Sequence, residues 1–120
     1  MNNKINELKR LNFEDTIWIV FIFLAFCNIV GNYFEKKFIF SSSKEDKDLA
    51  NNIFLFALCF TFFLYIYFFI RNYHSFKTIT GPQRFVYMIK VLGSIFLIVG
   101  VLCLIYFQKN NQTFIGSPGL

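Results

Sequence analysis

The sequence has few charges and few of the residues that build disulfide-linked or repetitive proteins. Only 16% of its 120 residues are charged, and it contains 3 cysteines, 2 prolines, 6 glycines and 1 histidine. Three cysteines do not make a disulfide framework, and so little proline and glycine excludes collagen-like and low-complexity chains. The hydrophobic content of 56% excludes a disordered chain. The length allows one domain.

Charged residues are absent from three long stretches of the chain. These stretches are 16–34, 49–70 and 91–108, which are 19, 22 and 18 residues long. A soluble amphipathic helix carries a polar face, whereas about 20 apolar residues in a helix match the roughly 30 Å hydrocarbon core of a bilayer. Because the backbone in lipid must satisfy its own hydrogen bonds, each stretch is predicted to be a helix. We therefore expect an all-α integral membrane protein with three transmembrane helices.

The whole chain, 1–120, is predicted to form a single three-helix membrane domain. The predicted spans are about 16–34, 50–70 and 85–107. The segments between and after them are predicted to be an outer loop at 35–49, a basic cytoplasmic loop at 71–84 and a short tail at 108–120. Lys90 lies inside the third span, where its long side chain can carry the ammonium group to the interface.

Polar residues near each span are typical of helix starts. Asn12 with Asp15 resembles a cap, and Ser42 with Glu45 fits a capping box for the second helix. The segment 80–83 contains a glycine followed by a proline and predicts the start of the third helix.

The basic residues favour one orientation of the three spans. The N-terminus and the 71–90 segment lie on one side and carry seven lysines and arginines, whereas the other side carries five. Because positive residues favour the cytoplasmic side, we predict the N-terminus inside and the C-terminus outside. The residues expected to determine this topology are Arg71, Lys77, Arg84 and Lys90.

Asn28 and Asn32 are polar residues within the first predicted span. They are four residues apart, so they share one face of the helix. An amide in hydrocarbon needs a hydrogen-bond partner, so we expect this face to point at another helix, where Thr61, Tyr65 and Ser94 are the potential partners. A polar lining for a substrate path is the alternative interpretation.

Small residues recur at helical spacing in all three spans and predict close helix contacts. On the third span Gly93, Phe96, Gly100 and Cys103 follow a spacing of three and four residues. Such a stripe can bind within the chain or to another protein. The small positions expected to pack are Gly31, Ala57, Thr61, Gly93 and Gly100.

The sequence contains no pattern typical of a catalytic, cofactor or metal site. His74 lies in the basic loop with no carboxylate nearby in sequence and is interpreted as a solvated residue. The cysteines fall one per span at different depths, which favours packing over a soft metal site. Phosphate-loop, zinc and Ser-His-acid patterns are absent. We expect no enzyme activity, no cofactor, no metal and no nucleic-acid partner.

Two functions fit these observations. The first is a small accessory or regulatory membrane subunit, with the lipid bilayer, a membrane protein or a second copy as its partners. The alternative is a holin-like pore former or a bacteriocin-immunity-type membrane protein. Since Phe, Ile, Asn, Lys and Tyr make up half of the chain, as in AT-rich genomes, we expect a bacterial cytoplasmic membrane protein.

Overall fold

The computed structural model describes residues 2–110 as three α-helices. They are α1 (Asn2–Ser41), α2 (Lys44–Thr78) and α3 (Gln83–Asn110). Each helix is long and apolar enough to cross a membrane. The prediction of an all-α chain with three such helices is therefore confirmed. The part of the predicted tail that follows Asn110 lies outside the described residues.

The helices extend well beyond the charge-free stretches. α1 begins at Asn2 and not near Asn12, and α2 continues to Thr78 through most of the segment predicted as a basic loop. The predicted outer loop is reduced to the two residues between α1 and α2. Neither the segment 2–15 nor the segment 71–78 contains glycine or proline. Helical hydrogen bonding therefore continues beyond the apolar stretches.

The α1–α2 connection differs from the predicted capping box. Ser42 has a positive φ of 56° and its N–H donates to the carbonyl of Phe38 at 2.7 Å, so it ends α1. Ser43 is the N-cap of α2, without a side-chain cap hydrogen bond. The Ser41 hydroxyl oxygen instead accepts the Ser43 N–H at 3.2 Å and donates to Asp46 at 3.3 Å.

The α2–α3 connection follows the Gly-Pro signal in the sequence. Gly81 has a φ of 80°, a conformation that glycine adopts without strain. Its carbonyl accepts the N–H of Arg84 at 3.1 Å, and α3 begins at Gln83. The chain therefore reverses direction where the sequence predicted a helix start.

The three helices form one flat layer. α2 lies in the middle and packs against α1 on one side and α3 on the other, and within residues 2–110 α1 does not contact α3. The layer measures 59 × 26 × 14 Å. Because a helix with its side chains is about 10–12 Å across, the layer is one helix thick.

Both outer helices face α2 along a repeat of alternating three and four residues. This spacing is typical of left-handed, coiled-coil-like packing. The buried or half-buried positions of α1 include Glu14, Ile17, Phe21, Leu24, Asn28 and Gly31. Those of α3 include Tyr87, Val91, Ser94, Ile98, Val101, Ile105 and Gln108.

The interior of the layer is unusually polar and its surface unusually apolar. Buried apolar and buried polar residues are similar in number, whereas large apolar side chains along all three helices are exposed. A soluble protein shows the opposite distribution, with polar groups rarely buried. This arrangement suits a surface that faces hydrocarbon.

Gly31 permits a close approach of α1 to α2. A Cβ atom built on Gly31 would lie 2.5 Å from the ring of Phe54, which is fully buried. We expect Gly31→Ala to destabilise the α1–α2 contact by roughly 1–3 kcal/mol, because a buried ring cannot move without disturbing its neighbours. The unfolding midpoint in detergent micelles measures this effect.

Gly100→Ala is the matched control, because its Cβ atom would meet nothing within 4 Å. Combining Gly31→Ala with Phe54→Leu should restore part of the lost stability by making room for the methyl group. Equal destabilisation by the two glycine substitutions would contradict the proposed packing.

Candidate functional site

Polar side chains connect all three helices at one end of the layer. Arg71 Nη1 on α2 donates to Glu14 Oε1 on α1 at 2.7 Å. Arg71 Nε and Nη2 donate to Asn72 Oδ1 at 3.2 and 2.9 Å, and Asn72 Nδ2 donates to Ser94 Oγ on α3 at 2.6 Å. The Ser94 hydroxyl in turn donates to the carbonyl of Lys90 at 3.1 Å. We call Glu14, Arg71, Asn72 and Ser94 the polar network.

The polar network is shielded from solvent. Glu14, Asn72 and Ser94 are each 6% exposed, and the Arg71 side chain is 20% exposed. The Arg71 guanidinium carbon also lies 4.9 Å from the ring centroid of Phe68, a cation–π contact. A buried ion pair is tolerated when its remaining polar atoms are satisfied, and removing one partner leaves an uncompensated charge. These contacts therefore fix how the three helices meet.

The second oxygen of Glu14 is also hydrogen-bonded. Arg10 Nη1 and the Tyr67 hydroxyl both donate to Oε2, each at 3.3 Å. Burial raises the pKa of the Glu14 carboxyl, but the hydrogen bond and charge of Arg71, with Arg10 and Tyr67, outweigh burial and lower the pKa overall. Glu14 is therefore a carboxylate at neutral pH.

A second polar contact joins α2 and α3 at the opposite end of the layer. Gln108 Nε2 donates to Asn51 Oδ1 at 2.8 Å, and Gln108 is almost fully buried. Interhelical amide contacts in membranes contribute about 0.6 kcal/mol on average. Together with the Asn72–Ser94 contact, this hydrogen bond fixes the position of α3 along α2 at both ends.

A groove of about 520 Å³ lies between α1 and α3, above α2. It exists because the two outer helices do not contact each other. Its aromatic walls come from α1 and α2, and its polar end is formed by part of the polar network. The lining residues, which we call the aromatic groove, are Trp18, Phe21, Tyr65, Phe68, Arg71, Asn72, Ser94 and Leu97.

The polar residues predicted on α1 face α2. Asn28 shares a cavity of about 160 Å³ with Thr61 and Tyr65, and its Oδ1 has no hydrogen-bond partner within residues 2–110. Thr61 donates to the carbonyl of Ala57 in its own helix at 2.8 Å. Ser94 lies on α3, out of contact with α1, and its hydroxyl binds Asn72 instead. Asn32 is half-buried.

The predicted small positions fall into two groups. Gly31, Ala57 and Thr61 are buried on the α1–α2 side. Gly93 and Gly100 are exposed, and a Cβ atom on either would meet nothing within 4 Å. These two glycines therefore do not pack against the described part of the chain, because α3 contacts α2 through the face that carries Ser94 and Val101.

The predicted topology residues differ in their surroundings. Lys77, Arg84 and Lys90 are exposed, whereas Arg71 belongs to the polar network. The sequence analysis did not single out Glu14 as a site residue. Its position could have been recognised from the alternating spacing of three and four residues, which places Glu14 on the same face of α1 as Ile17 and Phe21.

The three cysteines, which were expected to pack, and His74, which was expected to be solvated, remain separate from one another. Cys27 is half-buried, and Cys59, Cys103 and His74 are exposed. Within the described part of the chain, no three histidine, cysteine or acidic side chains come close enough to hold a metal ion.

Comparisons with protein-family models, curated proteins and solved structures found no match to this chain. The function is therefore inferred from the geometry of the polar network, the aromatic groove and the layer itself.

We expect Glu14→Gln to destabilise the protein by roughly 1–3 kcal/mol at neutral pH, because a charged hydrogen bond to Arg71 is lost. The Glu14 pKa lies below its ordinary value of 4.5, so the carboxylate stabilises the fold above that pH. The advantage of the wild type over Glu14→Gln should therefore stay constant at neutral pH and disappear as the pH falls through the lowered pKa. Unfolding midpoints in detergent, measured from pH 7 to pH 2.5, follow this change.

Asp15→Asn is the control, since Asp15 is the neighbouring carboxylate on α1 and is exposed. It should change stability little at any pH. A wild-type advantage over Glu14→Gln that is the same at pH 7 and pH 2.5 would disprove the assigned role of the Glu14 charge.

Proposed function

We propose that this chain is a non-enzymatic accessory or regulatory subunit that lies in a membrane and associates with another membrane protein. The flat layer is the observation that carries the proposal. Within residues 2–110 the single layer of helices leaves both broad faces without protein contacts, and each outer helix contacts only α2. Such a shape suits a subunit that packs alongside a larger assembly.

Membrane insertion is supported by the distribution of polar groups. Exposed apolar side chains surround the middle of the helices, whereas Glu14, Asn72, Ser94 and Gln108 are buried and hydrogen-bonded inside the layer. Lipid cannot hydrogen-bond polar groups, so they are favoured between helices.

The proposed orientation has the N-terminus and the α2–α3 turn in the cytoplasm. The supporting charges are Arg71, Lys77, Arg84 and Lys90, which lie near this end with no acidic residue in the 71–90 segment. The α1–α2 turn and the C-terminus are then outside. The proposed location is the cytoplasmic membrane of a bacterium.

Cysteine labelling tests the orientation. In intact cells a membrane-impermeant maleimide should label Ser43→Cys, which lies in the α1–α2 turn, and should label Thr80→Cys only after permeabilisation. The wild type supplies the background from its three cysteines. Labelling of Thr80→Cys but not of Ser43→Cys in intact cells would reverse the orientation.

The face of α3 that carries Gly93 and Gly100 is the proposed contact with the partner. Both glycines are exposed and leave room for a close helix approach. We expect Gly93→Leu with Gly100→Leu to abolish a stoichiometric complex with a membrane protein in host membranes, measured by cross-linking and native electrophoresis. Leu102→Phe, on another exposed side of α3, should leave the complex intact.

A holin-like pore is the competing outcome of this experiment. One layer within residues 2–110 encloses no channel, so a pore would require several copies in a ring. Homo-oligomers that collapse the membrane potential on overexpression would replace the subunit proposal with the pore function.

A further inference from the structure

The aromatic groove has apolar walls and the guanidinium of Arg71 at one end. Trp18 lies 5.6 Å from Phe68 and 5.4 Å from Phe21, and Phe21 lies 6.0 Å from Tyr65, measured between ring centroids. The volume of about 520 Å³ is within the roughly 300–1,000 Å³ typical of small-molecule sites. Such walls suit a hydrocarbon chain.

Arg71 gives the groove a binding group for an anion. A guanidinium has five N–H donors, and the contacts with Glu14 and Asn72 use three of them. Two N–H groups therefore remain, on a side chain that lines the groove. A planar guanidinium matches the geometry of a phosphate. Among the described residues that line the groove there is no carboxylate.

The positive charge around this end of the layer favours a phosphate that belongs to a lipid headgroup with net negative charge. The 71–90 segment contains four basic residues and no acidic residue. Basic residues at the membrane surface favour lipids with a net negative headgroup over zwitterionic lipids. A site that combines this charge with apolar walls suits the headgroup and the acyl chain of the same molecule.

We propose that the aromatic groove is a binding site for one anionic phospholipid, with an acyl chain along the aromatic walls and the phosphate at Arg71. The inference requires the membrane placement proposed above and is independent of any protein partner.

Trp18 is the only tryptophan of the chain and lines the groove, so its fluorescence reports what occupies the site. The purified full-length protein is placed in phosphatidylcholine vesicles that contain phosphatidylglycerol, and one of the two lipids carries brominated acyl chains. At equal mole fraction, brominated phosphatidylglycerol should quench Trp18 with a relative binding constant about fivefold higher than that of brominated phosphatidylcholine.

Three variants distinguish lipid binding in the groove from attraction of anionic lipid by the surface charge. Arg71→Gln combined with Glu14→Gln removes the guanidinium without leaving an unpaired carboxylate, and the preference for phosphatidylglycerol should fall by more than half. Arg84→Gln removes one positive charge near the same end but outside the groove, and more than half of the preference should remain. Leu97→Phe narrows the groove while keeping the polar network, and the preference should fall as well.

Equal quenching by the two lipids in the wild type would overturn the proposal. So would an equal loss of preference in Arg84→Gln, because the effect would then belong to the surface charge. Resistance to extraction by alkaline carbonate shows that the protein is inserted in the membrane. If the inserted protein is quenched by neither lipid, the lipid site is overturned, because a protein segment then covers the groove. Absence of quenching with full extraction overturns the membrane placement itself.

Discussion

The ion pair between Glu14 and Arg71 is the contact on which the arrangement of the helices depends. It joins α1 to α2, and the neighbouring Asn72 carries the connection to Ser94 on α3. Because α1 and α3 do not contact each other within residues 2–110, each is positioned by α2 alone. Glu14 and Gly31 are 17 residues apart, as are Phe54 and Arg71, so the ion pair and the Gly31–Phe54 contact belong to one antiparallel register.

The same contacts explain why a layer with a small apolar interior can hold together. A soluble domain of this size is stabilised by burying apolar side chains away from water, and here most large apolar side chains remain on the outside. In hydrocarbon the driving forces are close packing and interhelical hydrogen bonds. Gly31 and Phe54 provide such close packing, and the polar network provides such hydrogen bonds.

Much of the fold could be predicted from the charge-free stretches, because a run of about 20 apolar residues is a local property. The ends of the helices were harder to predict. Gly81 and Pro82 predict one turn, whereas the turn at Ser42 and Ser43 contains no glycine or proline from which it could be predicted. The helices therefore continued through segments that had been predicted as loops.

The site was predictable only in part, since it depends on how the helices pair. On α3 two stripes have the same spacing, one through Gly93 and Gly100 and the other through Ser94 and Val101, and periodicity does not distinguish them. The structure places the second stripe against α2. Glu14 and Arg71 flank their apolar stretches, and their pairing follows from the antiparallel register, which no local pattern contains.

The flat layer has a thermodynamic consequence. Since the α1–α2 and α2–α3 contacts share only α2, the stability of the three-helix unit is close to the sum of two nearest-neighbour terms, as in a linear repeat protein. Substitutions in one interface should then add to substitutions in the other, except where they meet at Arg71 and Asn72. Within residues 2–110, hydrogen bonds through that pair join α1 to α3.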